Sequence, residues 1–144
     1  MPIQELPPQS CHDLREADPS VVLLDVRTPE EFALGHPRGA LNVPIFFRDP
    51  AAGMTPNPEF LEVCRRVTRA DRRVILSCAV GGRSRRGCEA LEAEGYSSLV
   101  NMAGGFNGLT APDGSAVERG WRDVGLPVST EAGERSWDAL RSEA

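Results

Sequence analysis

The 144-residue sequence contains no lysine, so all of its 16 basic residues are arginines. This absence excludes two kinds of site: a lysine that forms a Schiff base with a carbonyl substrate, and the lysine of a phosphate-binding P-loop. The acidic residues number 21 and give a formal net charge of −5. An acidic chain of this kind is not expected to bind nucleic acid.

Cysteine and histidine are also scarce. The four cysteines form no CxxC pair, and the two histidines stand apart from any cysteine pair. The pattern therefore predicts neither a zinc site nor a disulfide scaffold, and we expect no metal and no cofactor. Residues 1–8 lack the features of a signal peptide, and no apolar run reaches transmembrane length. We predict a cytoplasmic protein with free thiols and no membrane partner.

The most informative stretch is a short apolar run that leads into a cysteine and a glycine loop. Val74-Ile75-Leu76 is typical of a buried parallel strand, and residues 84–94 are expected to form the next helix. Cys78 then lies between them, where free backbone N–H groups and the positive end of a helix dipole meet. Gly81 and Gly82 allow the loop to curl around an anion, so a thiol at position 78 should lose its proton readily. The alternative for Cys78 is a buried packing residue.

Residues 78–84, Cys-Ala-Val-Gly-Gly-Arg-Ser, resemble the active-site loop of the rhodanese (sulfurtransferase) family. Four other segments, residues 23–32, 35–44, 102–105 and 120–127, resemble further motifs of that family and occur in the family's order. The resemblance covers about residues 3–128. It implies a three-layer α/β/α rhodanese-like fold with a central, mostly parallel five-stranded sheet. We predict one domain over residues 1–128, followed by a tail or short helix over residues 129–144.

The resemblance implies an enzyme that moves a sulfane sulfur from a donor, thiosulfate or a related compound, to cyanide or a thiol. Cys78 would carry the sulfur as a persulfide. The loop that holds its charge would consist of Ala79, Val80, Gly81, Gly82, Arg83 and Ser84. Ser84 is also expected to cap the helix. Arg83 has two open roles: it contacts the substrate, or it pins the loop by pairing with an acid such as Asp25. Asp25 and Arg27 are predicted to support the site through a salt bridge.

Several alternatives stay open at this stage. Ala79 and Val80 carry no charge, which puts thiosulfate in doubt as the natural donor and leaves a protein persulfide partner or another thiol compound as candidates. A cysteine phosphatase or arsenate reductase is less expected, because only four residues separate Cys78 from Arg83, where related folds have five. A third possibility is a non-catalytic binding module built on the same fold.

The remaining cysteines and His36 are expected to be structural. Cys11, Cys64 and Cys88 fall at helical spacing with apolar neighbours, which favours core packing. His36 invites a general-base role, but a persulfide mechanism does not need one, so a structural turn is favoured. We further predict a helix capped by Ser10, a helix that starts at Thr28-Pro29, loops over residues 46–58 and 107–119, a packed Trp121, and a weakly held or frayed C-terminal segment.

Overall fold

The computed structural model describes residues 3–142. Its helices are α1 (Pro8–Ala17), α2 (Pro29–Leu34), α3 (Phe60–Val67), α4 (Gly82–Ala93) and α5 (Trp137–Ser142), with a 3-10 turn at Gly133–Arg135. The strands in this range are β1 (Gln4–Leu6), β2 (Val22–Asp25), β3 (His36–Pro37), β4 (Leu41–Asn42), β5 (Phe46–Asp49), β6 (Gly53–Pro56), β7 (Val74–Ser77), β8 (Leu99–Met102), β9 (Leu109–Thr110), β10 (Ala116–Glu118) and β11 (Val128–Ser129).

The central sheet has five strands in the order β1-β8-β7-β2-β4, and every pairing in it is parallel. This confirms the predicted fold class. Strand β7 lies in the middle, where Leu76 is paired with Leu24 on one side and with Asn101 on the other. The residue that follows β7 therefore emerges at the centre of the sheet's carboxyl edge, where open α/β sheets place their ligands.

The core consists of two apolar clusters, one on each face of this sheet. Neighbouring strand residues point to opposite faces, so Leu24 and Leu76 belong to one cluster and Leu23 and Ile75 to the other. Strands that are covered on both faces need continuous apolar runs, which explains the unbroken patterns around positions 22–24 and 74–76.

The two predicted helix starts have different outcomes. Thr28 caps α2 as predicted, in a capping box with Glu31. The Ser10 prediction is wrong, because α1 already begins at Pro8, with Pro7 in the cap position. Proline suits the first helical position since its missing N–H would have no partner there.

The two predicted loops each contain a β-hairpin. In the first, Phe46 pairs with Pro56 and Asp49 with Gly53, and the carboxylate of Asp49 accepts hydrogen bonds from two backbone N–H groups of the turn. In the second, β9 and β10 pair around the turn of residues 111–115. These strands have only two to four residues each, which is too short for the alternating pattern by which a strand is recognised, so the sequence pattern missed them.

The C-terminal segment is packed rather than frayed. Trp137 and Leu140 on α5 are buried in the same cluster as Leu76, and the Trp137 ring lies 5.9 Å from that of Phe47. Two anchoring side chains over one helical turn gave too weak a sequence signal for this contact. The division of the chain at residue 128 stays a prediction, and residues 1, 2, 143 and 144 of the predicted segments lie outside the described residues.

Candidate active site

Cys78 is the first residue after β7, and its sulfur faces the loop that follows. The backbone N–H of Gly81 donates a hydrogen bond to Cys78 Sγ at 3.1 Å, and the hydroxyl oxygen of Ser84 lies 3.3 Å from the same sulfur. Within residues 3–142 these are the polar groups within hydrogen-bonding distance of Sγ. The Gly81 N–H donates to the sulfur directly, and the Ser84 hydroxyl can stabilise an anion there when its single proton is turned toward the sulfur.

The resting thiol is shielded from solvent. Cys78 is 1 % exposed and packs into the core cluster, whereas Val80, two residues further, is 44 % exposed. Gly82 is exposed as well.

Gly81, not Ser84, occupies the cap position of α4. Its φ of +114° lies in the region that favours glycine, and it turns the chain so that the helix begins at Gly82. The prediction that Ser84 caps this helix is therefore wrong. Ser84 is instead a fully buried residue of the first turn, which directs its hydroxyl toward the sulfur. The first N–H groups of α4 have no carbonyl within the helix to bond, so they remain near the loop as donors.

The double glycine Gly104-Gly105, which follows β8, packs against the Cys78 loop together with the two residues after it. The backbone N–H of Phe106 donates to the carbonyl of Cys78 at 2.8 Å, and that of Asn107 donates to the carbonyl of Ala79 at 2.9 Å. A Cβ added at Gly105 would overlap the Cys78 carbonyl oxygen and lie 2.8 Å from the carbonyl carbon of Ala79. Only glycine permits this approach.

Arg83 is paired with Glu31 rather than with Asp25. Its guanidinium makes two hydrogen bonds to the Glu31 carboxylate, at 2.7 and 3.0 Å. Burial raises the pKa of Glu31, but hydrogen bonds from Arg83 and Thr28 outweigh it and bring this pKa down to about 2. The same pairing raises the pKa of Arg83. Arg83 thus ties the start of α4 to the start of α2, which is the loop-pinning arrangement, with Glu31 as the acid in place of Asp25.

Asp25 and Arg27 form the predicted salt bridge, and both are buried. The guanidinium of Arg27 donates to both carboxylate oxygens of Asp25, with the shortest bond at 2.7 Å, and to the carbonyl of Gly35 at 2.6 Å. It also lies 4.6 Å from the centroid of the Phe106 ring. The Asp25–Arg27 pair therefore connects the loop after β2 to Phe106, whose backbone N–H bonds the carbonyl of Cys78.

Two further polar residues, Asn101 and Glu5, are linked to Ser84 by hydrogen bonds and were not identified from the sequence pattern. Asn101, on β8, accepts a short hydrogen bond from the hydroxyl of Ser84. Its amide nitrogen donates to both carboxylate oxygens of Glu5, at 3.0 and 3.1 Å. A polar residue inside an otherwise apolar strand, as in Leu99-Val100-Asn101-Met102, was the available signal for Asn101.

The other cysteines and His36 are structural in their surroundings. Burial raises the pKa of Cys11, Cys64 and Cys88 to about 12, and all four cysteines are free thiols. His36 is buried, stacks on Phe32 with ring centroids 3.6 Å apart, and holds the carbonyl of that residue through Nδ1. These findings agree with the packing roles predicted for them.

A pocket of about 270 Å³ lies beside the Arg83–Glu31 pair. Its lining combines apolar side chains with a second arginine, and includes Leu34, Arg48, Met54 and Arg83. Over the described part of the chain, no group of histidine, cysteine and acidic residues is placed to hold a metal ion. The described helices are also too short or too polar to cross a bilayer.

Comparison with known families decides the classification. The family model for the rhodanese-like domain matches residues 8–112. The chain belongs to the rhodanese-like domain family. Among its relatives is thiosulfate sulfurtransferase 16, chloroplastic, of Arabidopsis thaliana, 42 % identical over 105 residues that cover 73 % of this chain and 77 % of the relative. Thiosulfate sulfurtransferase GlpE of Haemophilus influenzae is 30 % identical over 130 residues, which cover 90 % of this chain and 98 % of the relative.

Other members of this rhodanese-like family are longer. The mitochondrial protein HIGH ARSENIC CONTENT 1 of A. thaliana is 44 % identical over 58 % of this chain, and the match spans 49 % of that protein. The chain thus spans about half the length of several curated relatives. Among solved structures, Rv0390 from M. tuberculosis superposes with a TM-score of 0.75 at 29 % identity, covering 91 % of this chain and all of that one.

Proposed function

We propose that this rhodanese-like protein is a sulfurtransferase that carries a sulfane sulfur on Cys78. The observation that supports the proposal best is the contact of Cys78 Sγ with the Gly81 N–H and the Ser84 hydroxyl at the start of α4. Relatives named thiosulfate sulfurtransferase support the same class of reaction.

The transfer takes two steps. The Cys78 thiolate attacks the outer sulfur of the donor, a new S–S bond forms, and the donor's own S–S bond breaks. With thiosulfate, sulfite leaves with the electron pair of that bond. An acceptor, cyanide or a thiolate, then attacks the outer sulfur of the persulfide, and the bonding pair returns to Cys78. The amides of residues 79–84 stabilise the persulfide anion, and the covalent intermediate implies ping-pong kinetics.

The charge distribution favours a donor with little negative charge of its own. Ala79 and Val80 are neutral, and Arg83 already neutralises Glu31 through two hydrogen bonds. The loop of residues 78–84 therefore has no cation available to pair with a thiosulfate dianion, because its one arginine is bonded to Glu31. We therefore propose a low-molecular-weight or protein persulfide as the preferred donor, with a thiol as acceptor, and a lower kcat/KM for thiosulfate. The cytoplasmic localisation stays a prediction, since two relatives carry chloroplastic and mitochondrial in their names.

The test is to incubate the protein with each donor and weigh the intact chain. We expect a gain of one sulfur atom that cyanide removes as thiocyanate. Cys78→Ser should abolish the gain, whereas Cys88→Ala should retain it, because the Cys88 thiol is buried and protonated. Sulfur loading of the Cys78→Ser variant, or no loading of the natural chain by any donor, would overturn the proposal and favour a binding module.

Phosphate-ester hydrolysis and arsenate reduction are the alternative reactions for this loop. Only four residues separate Cys78 from Arg83, and the guanidinium is already held by Glu31, so neither the space nor the charge suits a tetrahedral oxyanion. Because one relative is named HIGH ARSENIC CONTENT 1, arsenate is the alternative substrate to compare with a persulfide donor. Thiol-dependent loss of arsenate at rates above those of persulfide turnover would reverse our order of preference.

A further inference from the structure

The orientation of the Asn101 amide is determined by its neighbours. Its nitrogen lies 3.0 and 3.1 Å from the two oxygens of Glu5 and 3.2 Å from the carbonyl oxygen of Gly81. If the amide were rotated by half a turn, its oxygen would face three acceptors with no proton between them. The nitrogen must therefore point toward Glu5, and the amide oxygen toward Ser84.

Ser84 has one hydroxyl proton and three acceptors around it. The acceptors are the amide oxygen of Asn101, the carbonyl of Gly81 at 3.2 Å and the sulfur of Cys78 at 3.3 Å. Among the described residues Ser84 is the one donor to the Asn101 oxygen, whereas the Gly81 carbonyl also accepts from the Arg85 N–H and the sulfur also accepts from the Gly81 N–H. The proton consequently goes to Asn101, and the sulfur meets the lone pairs of the hydroxyl, which suit a neutral S–H donor and not a thiolate.

We propose that Asn101, oriented by Glu5, is a positioning residue that keeps the Ser84 proton away from Cys78 and so limits formation of the thiolate. The inference rests on the proposed role of Cys78. When Cys78 ionises, Ser84 has to turn its proton to the sulfur, and the buried amide oxygen of Asn101 loses its partner. Leaving a buried acceptor unpaired is costly, so the hydrogen-bond chain from Glu5 to Ser84 favours the protonated thiol.

Other charged and titratable groups surround this hydrogen-bond chain, and all of them except the control position Glu89 stay constant in the test below. They are Asp25 on β2, Glu31 on α2, and Arg83, Arg85, Cys88 and Glu89 on α4. Arg85 pairs with Glu5 at 2.9 Å and approaches Glu89 at 3.7 Å. Glu89 therefore has a similar place near Arg85 but no contact with Asn101, which makes it the matched control for Glu5.

The experiment follows the ionisation of Cys78 by the ultraviolet absorbance of its thiolate, with Cys78→Ser as the blank and no sulfur donor present. The other thiols have a pKa of about 12 and titrate separately. Asn101→Ala should lower the midpoint of Cys78 ionisation by about one pH unit, the size expected when a hydroxyl becomes free to donate to a charged group. A midpoint that rises or does not move overturns the proposal.

Glu5→Ala gives a second variant, on an exposed side chain, that removes both carboxylate acceptors of the Asn101 amide nitrogen without disturbing the core. Removing the negative charge of Glu5 by itself lowers the midpoint of Cys78 ionisation. To separate that charge effect, the substitution is made both in the natural chain and in the Ser84→Ala variant. We expect a larger shift in the natural chain, because only there can a released Ser84 proton reach the sulfur. Equal shifts in both chains refute the mechanism, and the control Glu89→Ala should give equal shifts in both. Because no sulfur is transferred, these results are independent of whether Cys78 forms a persulfide.

Discussion

Gly105 is the residue whose replacement should reveal most about the site. Its φ of +56° disfavours a side chain, and a Cβ there would overlap the Cys78 carbonyl. The left-handed backbone conformation costs about 1–2 kcal/mol for a residue other than glycine. Relieving the overlap would break the Phe106–Cys78 hydrogen bond, which adds about 1 kcal/mol. For Gly105→Ala we expect a loss of about 2–3 kcal/mol in the free energy of unfolding, together with a displaced Cys78 loop.

Gly95 provides the matched control. Its φ of +97° is also positive, and no atom lies within 4 Å of an added Cβ. Gly95→Ala therefore measures the backbone cost without the overlap. Urea unfolding should show a larger loss for Gly105→Ala, and persulfide loading should slow for that variant alone. If both variants lose the same free energy of unfolding and load sulfur at the natural rate, the contact of Gly105 with the Cys78 carbonyl does not support the loop as described.

Two further predictions concern the ion pairs that hold the site. Because Arg83 and Thr28 lower the pKa of Glu31 from 4.5 to about 2, the stabilisation is complete above about pH 4.5 and is lost as the pH falls toward 2. The difference in unfolding free energy between the natural chain and Glu31→Gln should shrink over that interval, and a constant difference would contradict the argument. Asp25→Asn leaves the buried Arg27 charge without its carboxylate and should cost about 3–5 kcal/mol. Asp71→Asn, in an exposed pair, should cost less than about 1 kcal/mol by the same denaturation, and similar losses for both would count against the role of burial.

The parts of the site that were predictable depend on neighbours in sequence. Cys78 follows a continuous apolar strand, and Gly81 lies at the start of a helix, so the junction and its free amides follow from local pattern. The start of α2 was recognised in the same way, from the cap at Thr28 and the proline after it. The start of α4 was misplaced by two residues, because a glycine at positive φ can begin a helix before a serine that looks like its cap.

The strand that ends at Cys78 and the glycines that make its loop possible follow from local sequence, because they depend on periodicity and backbone freedom, whereas the α/β class was expected from the resemblance to the rhodanese family. The partners of the residues around that loop are set by long-range packing. Glu31 lies 52 residues from Arg83, and Glu5 lies 96 residues from Asn101. Contacts over such separations depend on how strands order themselves in the sheet, and the chemistry of an arginine or an asparagine is compatible with many partners until packing selects one.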